Sequence, residues 1–196
     1  MNQYNINEII PFCKAQDKWG GFGNMAGGYP IRINKTILIP SVENLYQAMR
    51  YPDHPNIQKE ILKQKSGFSS KLVSKKYRKT HTRPDFDDIK IDIMRWCLKL
   101  KCAQHKKYRD MLLETDDKII VEVSTRNDDF WGAVFKDDNS ILIGQNILGL
   151  LHMEIREYIK LHIDNIDLIK QVIPINVPNF KLLDQEIQGN KILLDF

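Results

Sequence analysis

Four short groupings in the sequence hold residue types that can do chemistry. Glu43 is a carboxylate in the first turn of a helix signalled by Pro40-Ser41, a place where an acid can exchange a proton or face a developing positive charge. Asp128-Asp129-Phe130-Trp131-Gly132 sets carboxylates, which accept hydrogen bonds, beside an indole that can stack on a ring. The loop from Trp19 to Gly28 carries Asn24 and five of the ten glycines, so its backbone can approach a ligand closely or simply turn several times. Gly144-Gln145-Asn146 leads into a later helix. Each has a plainer reading. Glu43 could only be answering the helix dipole, worth about 0.3–1 kcal/mol. Trp131 could be core, Asn146 a helix cap and Asp128 a turn residue. Spacing alone leaves the function open.

The common site motifs are missing. Gly21-Phe22-Gly23-Asn24 does not continue as G-x-G-x-x-G after a strand, which disfavours a dinucleotide fold. The five histidines are scattered without an H-x-x-x-H pair, and Cys13, Cys97 and Cys102 lack C-x-x-C spacing. Neither a metal centre nor a disulfide framework is expected, and the three thiols are expected to be buried. G-x-S-x-G, the common serine hydrolase signature, does not occur.

The elements that must position these groups follow from periodicity. Ile31, Ile33, Ile37 and Ile39 alternate around Asn34-Lys35, which predicts a hairpin. Val42, Leu45, Ala48 and Met49 predict a helix from about Val42 to Tyr51. A second helix begins at Asp53 and Pro55, with Ile57, Ile61 and Leu62 inward, and a third at Ser69 or Ser70 bears Lys71, Lys75 and Lys76. Ile89, Ile93, Trp96, Cys97, Leu100 and Ala103 form the core stripe of a long helix running to about Leu113. Lys118 to Ser124 and Ile141 to Ile143 predict strands, and Leu148, Leu151, Ile155 and Ile159 a last helix. The loop-rich start before Ile31 carries no predicted strand, and the end, with Pro174 and Pro178, reads as an extended arm.

Composition bounds the answer. The chain has 196 residues, 42% hydrophobic and 28% charged, enough for one sizeable core and unlike a disordered chain. Its longest apolar runs, such as Ile119-Ile120-Val121, are far below the roughly 18 residues of a membrane span, and no signal-peptide pattern opens it. A cytoplasmic protein is expected. The net charge of +4 hides an asymmetry: Lys59 to Arg109 holds 16 Lys and Arg against 5 Asp and Glu, so the remainder is net acidic. A solvated helix face explains most charge runs, but one this long also suits phosphate or nucleic acid.

Taken in order, the segments resemble a known family. Phe12, Gly21-Phe22-Gly23-Asn24-Met25, Pro40-Ser41-Val42-Glu43-Asn44-Leu45-Tyr46-Gln47-Ala48, Lys71, Asp128-Asp129-Phe130-Trp131-Gly132, Gly144-Gln145-Asn146-Ile147-Leu148-Gly149 and Met153-Glu154-Ile155-Arg156 are similar to the NADAR, or YbiA-like, family from about Pro11 to Tyr158. Arg95 to Lys101 is similar to its long central helix. The resemblance implies an α+β, predominantly helical single domain with a few short strands over residues 1–162, and the proline-bearing end, 163–196, is expected to be an arm packed on the same domain.

It also implies an N-glycosidase that cuts a ribose–nitrogen bond without a metal or other cofactor. The family's substrate classes are a phosphorylated ribosylamino-pyrimidine of riboflavin synthesis, and ADP-ribosylated guanine in nucleic acid. Members acting on the latter are antitoxins, which have a toxin partner, or free-standing erasers. The basic segment favours the second class. The implied partners are therefore an ADP-ribose-containing substrate and the DNA or RNA that carries it, with no membrane.

Carried over by position, Glu43 and Asp128 are catalytic, and Asn24, Trp131, Gly144 and Asn146 bind substrate; Phe22, Lys71 and Phe86 are further candidates for substrate binding. Glu43 would steady the positive charge at the anomeric carbon and orient or deprotonate water. Asp128 would accept from ribose hydroxyls, and Trp131 or Phe86 would stack on the base. Lys71 would meet a phosphate or attack the sugar as an amine, although a solvated lysine is the plainer reading. Backbone N–H groups of the Gly-rich loop and of the helix after Gly144 would serve a diphosphate. The chain has Gly23, Asn44, Arg50 and Phe86 where the family commonly has Ser, His, Lys and Trp, differences that bear on substrate more than fold. They keep open a non-catalytic ADP-ribose or NAD reader and a nucleic-acid-binding protein with a vestigial pocket.

Overall fold

The computed structural model describes residues 1–34, 36–136 and 140–187. Lys35, in the expected hairpin turn, and 188–196, the end of the expected arm, lie outside them. The elements run β1 (Asn2–Asn5), β2 (Ile9–Phe12), a 3-10 turn (Gly20–Phe22), β3 (Ile31–Arg32), β4 (Leu38–Ile39), α1 (Val42–Ala48), α2 (Pro55–Leu62), α3 (Gly67–His81), α4 (Phe86–Gln104) and α5 (Lys106–Leu113). They continue with β5 (Ile119–Glu122), β6 (Ala133–Phe135), β7 (Ile141–Gly144), α6 (Ile147–Leu161), α7 (Ile166–Lys170), β8 (Lys181–Leu182) and β9 (Gln185–Glu186). The fold is α+β with helix predominant. Contacts group Met1–Gly23 with Lys106–Ile166 as one compact unit, and Asn24–His105 with Asp167–Phe196 as another.

In the first unit, β7 pairs antiparallel with both β1 and β6, and β2 pairs parallel with β5. β1 and β2 were not expected, because Asn2–Asn5 is polar and Ile9–Phe12 includes a proline. They form because partners distant in sequence supply their hydrogen bonds, a tertiary effect that propensity does not carry. Phe12, Phe22, Tyr108 and His152 build an aromatic core, in which the Tyr108 hydroxyl lies 2.7 Å from His152 Nδ1. Cys13, expected to be buried, is exposed, whereas Cys97 and Cys102 are buried.

In the second unit, α1 packs against α2, α3 and α4. The β3–β4 hairpin pairs Ile31 with Ile39 and turns through Asn34, whose Oδ1 accepts from the Thr36 and Ile37 N–H groups at 2.9 Å. α1 stops at Ala48, one turn short of the predicted Tyr51. α3 starts earlier than predicted because Ser66 is the cap, its Oγ accepting from Ser69 N–H at 3.1 Å. The single long helix expected to reach Leu113 is two: α4 ends at Gln104, His105 takes extended backbone with Nε2 2.8 Å from Pro30 O, and α5 begins at Lys106. A hydrophobic stripe cannot report that interruption.

Residues 167–187 are more than extended chain, containing α7 and the β8–β9 pair. Trp96 meets Phe180 edge-on at 4.9 Å. Gln58 donates to Lys181 O at 3.0 Å and accepts from Leu183 N–H at 2.6 Å. Buried Arg83 binds Asp85 through two nitrogens, at 2.6 and 2.9 Å, and donates to Pro178 O at 2.7 Å.

Candidate active site

The expected site residues divide between the units: Asn24, Glu43, Lys71 and Phe86 fall in the second, and Phe22, Asp128, Trp131, Gly144 and Asn146 in the first. In the second, Ser41 caps α1, and its hydroxyl donates to Asn44 Oδ1 at 2.6 Å while Asn44 Nδ2 donates to Gln64 O at 2.9 Å. Asn44 thus ties α1 to the end of α2. All seven residues of α1 are buried, so Glu43, in its first turn, is carried inside and left only 5% exposed.

Glu43 Oε1 accepts from Gln47 Nε2 at 2.8 Å; among the described residues no group bonds Oε2. The Gln47 amide is oriented in turn, because its Oε1 accepts from Ser74 Oγ at 2.6 Å and from Arg78 at 3.4 Å. Tyr51 donates to Ser74 O at 2.7 Å. With the carbonyl end taken by donors, the NH2 end must face Glu43.

Two helical stripes meet here. Glu43, Gln47 and Arg50 stand at i, i+4 and i+7 on α1, and Lys71, Ser74 and Arg78 at i, i+3 and i+7 on α3. Burial pushes the Glu43 carboxyl above its ordinary value, opposed by the Lys71 charge, the Gln47 hydrogen bond and the charges of Arg78 and Arg50. None of these three cations has a carboxylate partner within ion-pair distance among the described residues, and the buried Nε atoms of Arg50 and Arg78 have no hydrogen-bond partner.

Asn24 completes the cluster. Its carbonyl accepts from Glu43 N–H at 3.0 Å, while its side-chain Oδ1 is buried with no partner. A buried acceptor left unpaired costs about 1–3 kcal/mol, a cost that a ligand donor would remove. Gly67 opens α3 against this point, where an added Cβ would stand 2.9 Å from Glu43 Cβ and 3.0 Å from Met25 Cα. Sequence reasoning missed Gly67, Gln47, Ser74 and Arg78 as site residues, and read Arg50 only as a departure flanking the expected pocket. The helical spacing from Glu43 and Lys71 was the available signal for all but the glycine.

Phe86 departs from expectation. It is 2% exposed, packs on Tyr46 at 5.8 Å and carries the Arg50 guanidinium 3.6 Å above its ring. It supports Arg50 and offers no free face to a base.

In the first unit the structure brings Asp128 and Trp131 together. Asp128 Oδ1 accepts from Trp131 N–H at 2.9 Å, and Asp128 N–H donates to Ser124 Oγ at 2.9 Å. The half-buried Trp131 ring meets Phe130 edge-on at 5.2 Å. The carbonyls of Asp129, Gly132, Phe130 and Trp131 accept from the N–H groups of Gln145, Asn146, Ile147 and Leu148 at 2.6, 3.0, 3.1 and 2.9 Å. The expected anion site at the start of α6 is therefore corrected: those donors are already used. In the Gly-rich loop, Gly20, Phe22 and Gly23 N–H groups bond Asp17, Trp19 and Gly20 carbonyls.

Three more expected contacts are architectural. Phe22 is fully buried in the aromatic core. Gly144 is a close crossing, since a Cβ there would stand 2.3 Å from Gly132 O. Asn146 is fully buried with φ of 54°, donating to Ile120 O at 2.8 Å and accepting from Glu122 N–H at 3.0 Å. It fastens the start of α6 to β5. Among the described residues no group of three His, Cys, Asp or Glu converges as a metal site, and no helix is long and apolar enough to cross a membrane.

A short-stranded α+β fold here holds a buried, hydrogen-bonded glutamate among cations, and a carboxylate so placed can serve the chemistry of a glycosidase. The comparisons with known proteins agree in class. The NADAR domain family model matches residues 11–160, a span running through both units. "N-glycosidase YbiA" of Escherichia coli (strain K12) is 32% identical over 152 residues, covering 76% of this chain and 87% of that protein. "Riboflavin biosynthesis protein PYRR, chloroplastic" of Zea mays is 30% identical, over 81% of this chain but 26% of that protein. "Riboflavin biosynthesis protein VVA0006" of Vibrio vulnificus is 30% identical, over 81% of this chain and 41% of that protein. The NMR structure of E. coli YbiA superposes with a TM-score of 0.66 at 30% identity, covering 80% of this chain and 88% of that one. The chain belongs to the NADAR family and is an N-glycosidase.

Proposed function

We propose that this N-glycosidase hydrolyses the bond between ribose C1 and nitrogen in a substrate carrying phosphate on the ribose, with ADP-ribosylated guanine in nucleic acid favoured. The observation that carries the phosphate is the cluster of Lys71, Arg78 and Arg50 beside buried Glu43, without carboxylate partners among the described residues. As the C1–N bond breaks, positive charge grows at C1 and the ring oxygen, where the Glu43 carboxylate steadies it. Water forms the new C1–O bond, its proton leaves through Glu43 Oε2, and the leaving nitrogen takes up a proton. Asn24 Oδ1 accepts from a substrate hydroxyl or amine. The basic excess of α3 supports the polymer, since phosphate contacts supply much of nucleic-acid affinity. A cytoplasmic location and a toxin partner that writes the modification belong with this reading.

The names of the maize and Vibrio relatives favour a second reading, hydrolysis of a ribosylamino-pyrimidine phosphate. Incubation with a guanine-ADP-ribosylated oligonucleotide and, separately, with that pyrimidine discriminates. Release of ADP-ribose from the first supports the proposal; release of ribose phosphate from the second alone replaces it with the second reading. Binding of ADP-ribose with no product from either would reduce the chain to a reader.

A further inference from the structure

α3 has a second face that the catalytic cluster does not use. It packs on α1 and α2 through Gly67, Ser70, Val73 and Ser74, leaving Phe68, Leu72, Lys75, Lys76 and Lys79 outward. From Gly67 to His81 the helix carries five Lys and Arg and no Asp or Glu. Lys76 meets Glu60 at 3.6 Å, but Lys75 and Lys79 have no ion-pair or hydrogen-bond partner among the described residues. Lys71, Lys75 and Lys79 stand at i, i+4 and i+8, about 6 Å apart along one side of the helix. The innermost of the three is the lysine whose charge acts on Glu43. Beside this row, Phe68 and Leu72, one turn apart, are 45% and 52% exposed.

We propose that this face of α3 is the track on which single-stranded nucleic acid lies, its phosphates on Lys75 and Lys79 and a base on Phe68, leading the ribosylated nucleotide toward Lys71 and Glu43. This rests on the reading that the substrate is part of a nucleic acid. A row of like charges at even spacing next to an exposed ring is the combination that binds single strands without regard to sequence. A membrane surface fits less well. A helix lying in the lipid interface needs an apolar face along its length, and α3 exposes two apolar residues at one end while its other sides are covered by α1 and α2.

Fluorescence anisotropy with unmodified 12-nucleotide DNA and RNA tests the track without any turnover. The wild type should bind in low salt, more weakly as salt rises. Lys75→Gln with Lys79→Gln should flatten the log–log salt slope by about 1.4. Phe68→Ala should weaken binding about fivefold or more. Matched thermal melts confirm that these exposed substitutions leave the fold intact. Binding of one polymer only assigns the strand as DNA or RNA and supports the track. No binding by the wild type, an unchanged slope in the double variant, or protein bound to anionic vesicles in preference to oligonucleotide would overturn it.

Turnover separates this from the proposed function. The lysine double variant should lose kcat/KM on the modified oligonucleotide and keep it on ADP-ribosylated guanosine. Equal activity on the oligonucleotide overturns the track while the function stands. Absence of cleavage by the wild type overturns the function and leaves the binding assay to decide the track.

Discussion

Replacing Gln47 with leucine keeps most of the side-chain volume and removes the hydrogen bond that reaches Glu43 Oε1 at 2.8 Å. A hydrogen bond to a charged group contributes about 1.5–3 kcal/mol, and one pKa unit corresponds to about 1.4 kcal/mol. The Gln47 N–H favours the charged carboxylate, so its loss leaves burial less opposed and moves the Glu43 pKa further upward. The assay is kcat/KM against pH. The limb that reports Glu43 should move to higher pH, whichever protonation state is active. Ser74→Ala, which frees Gln47 Oε1 from its 2.6 Å bond but keeps Nε2, should move the same limb less and in the same direction. Freed from Gln47, Arg78 could turn toward Glu43 and pull the other way, so the sign is a real test. An unmoved or lowered limb, in a variant that melts like the wild type, would refute the assignment of Gln47 as the group that holds Glu43 ionisable.

Glu43→Gln should cut turnover at least ~10²-fold with ligand binding kept, measured by rate and calorimetry. It should also stabilise the fold at pH 7. The folded pKa lies above the ordinary 4.5, so the stability this carboxyl contributes is present below 4.5 and lost as pH rises through the folded value; the gain in Tm should shrink toward pH 4. Lys101 is buried with its ammonium 4.4 Å over the Tyr29 ring, and burial pulls its pKa down to about 7. Between about 7 and 10.5 the unfolded chain holds the extra proton, so wild-type stability from this group rises with pH. The advantage of Lys101→Met in urea melts should therefore be larger at pH 6 than at pH 9.5; a constant difference would contradict it. Asn146→Gly tolerates the positive φ but strands Ile120 O and Glu122 N–H, costing about 2–4 kcal/mol in denaturant melts with kcat per folded molecule unchanged.

The sequence carried the helical frame well, because α1, α2, α4 and α6 present regular apolar stripes. It carried the long-range pairs poorly. β1 and β2 are strands only because β7 and β5 stand beside them, and the break at His105 is tied to a carbonyl on Pro30. Of the candidate site, Glu43, Lys71 and Asn24 were legible and the structure brings them together, while Phe22 and Phe86 were read as contacts and are buried. An aromatic residue beside a motif looks the same in sequence whether it faces a ligand or a core.

The motif residues divide by what they do, and the division bears on how specificity can vary. Gly132, Gly144, Asn146 and Gly149 are fixed by close approach: an added Cβ would stand 2.6 Å from Glu122 O, 2.3 Å from Gly132 O or 2.1 Å from Ile120 O at the three glycines, and Asn146 binds both edges of a β5 gap. Substitution there costs the fold, so this segment announces the family without announcing the substrate. Lys71, Arg78 and Arg50 act on Glu43 through charge, which a lysine and an arginine both supply. Arginine adds a planar fork that stacks on Phe86 and turns donors sideways, which a lysine at that place could not do. Arg50 and Phe86, two of the positions read from the sequence as departing from the family's pattern, thus lie beside the cations that act on Glu43. A substrate preference should follow the pairing of Arg50 with Phe86 more closely than the more conspicuous glycine and asparagine motif.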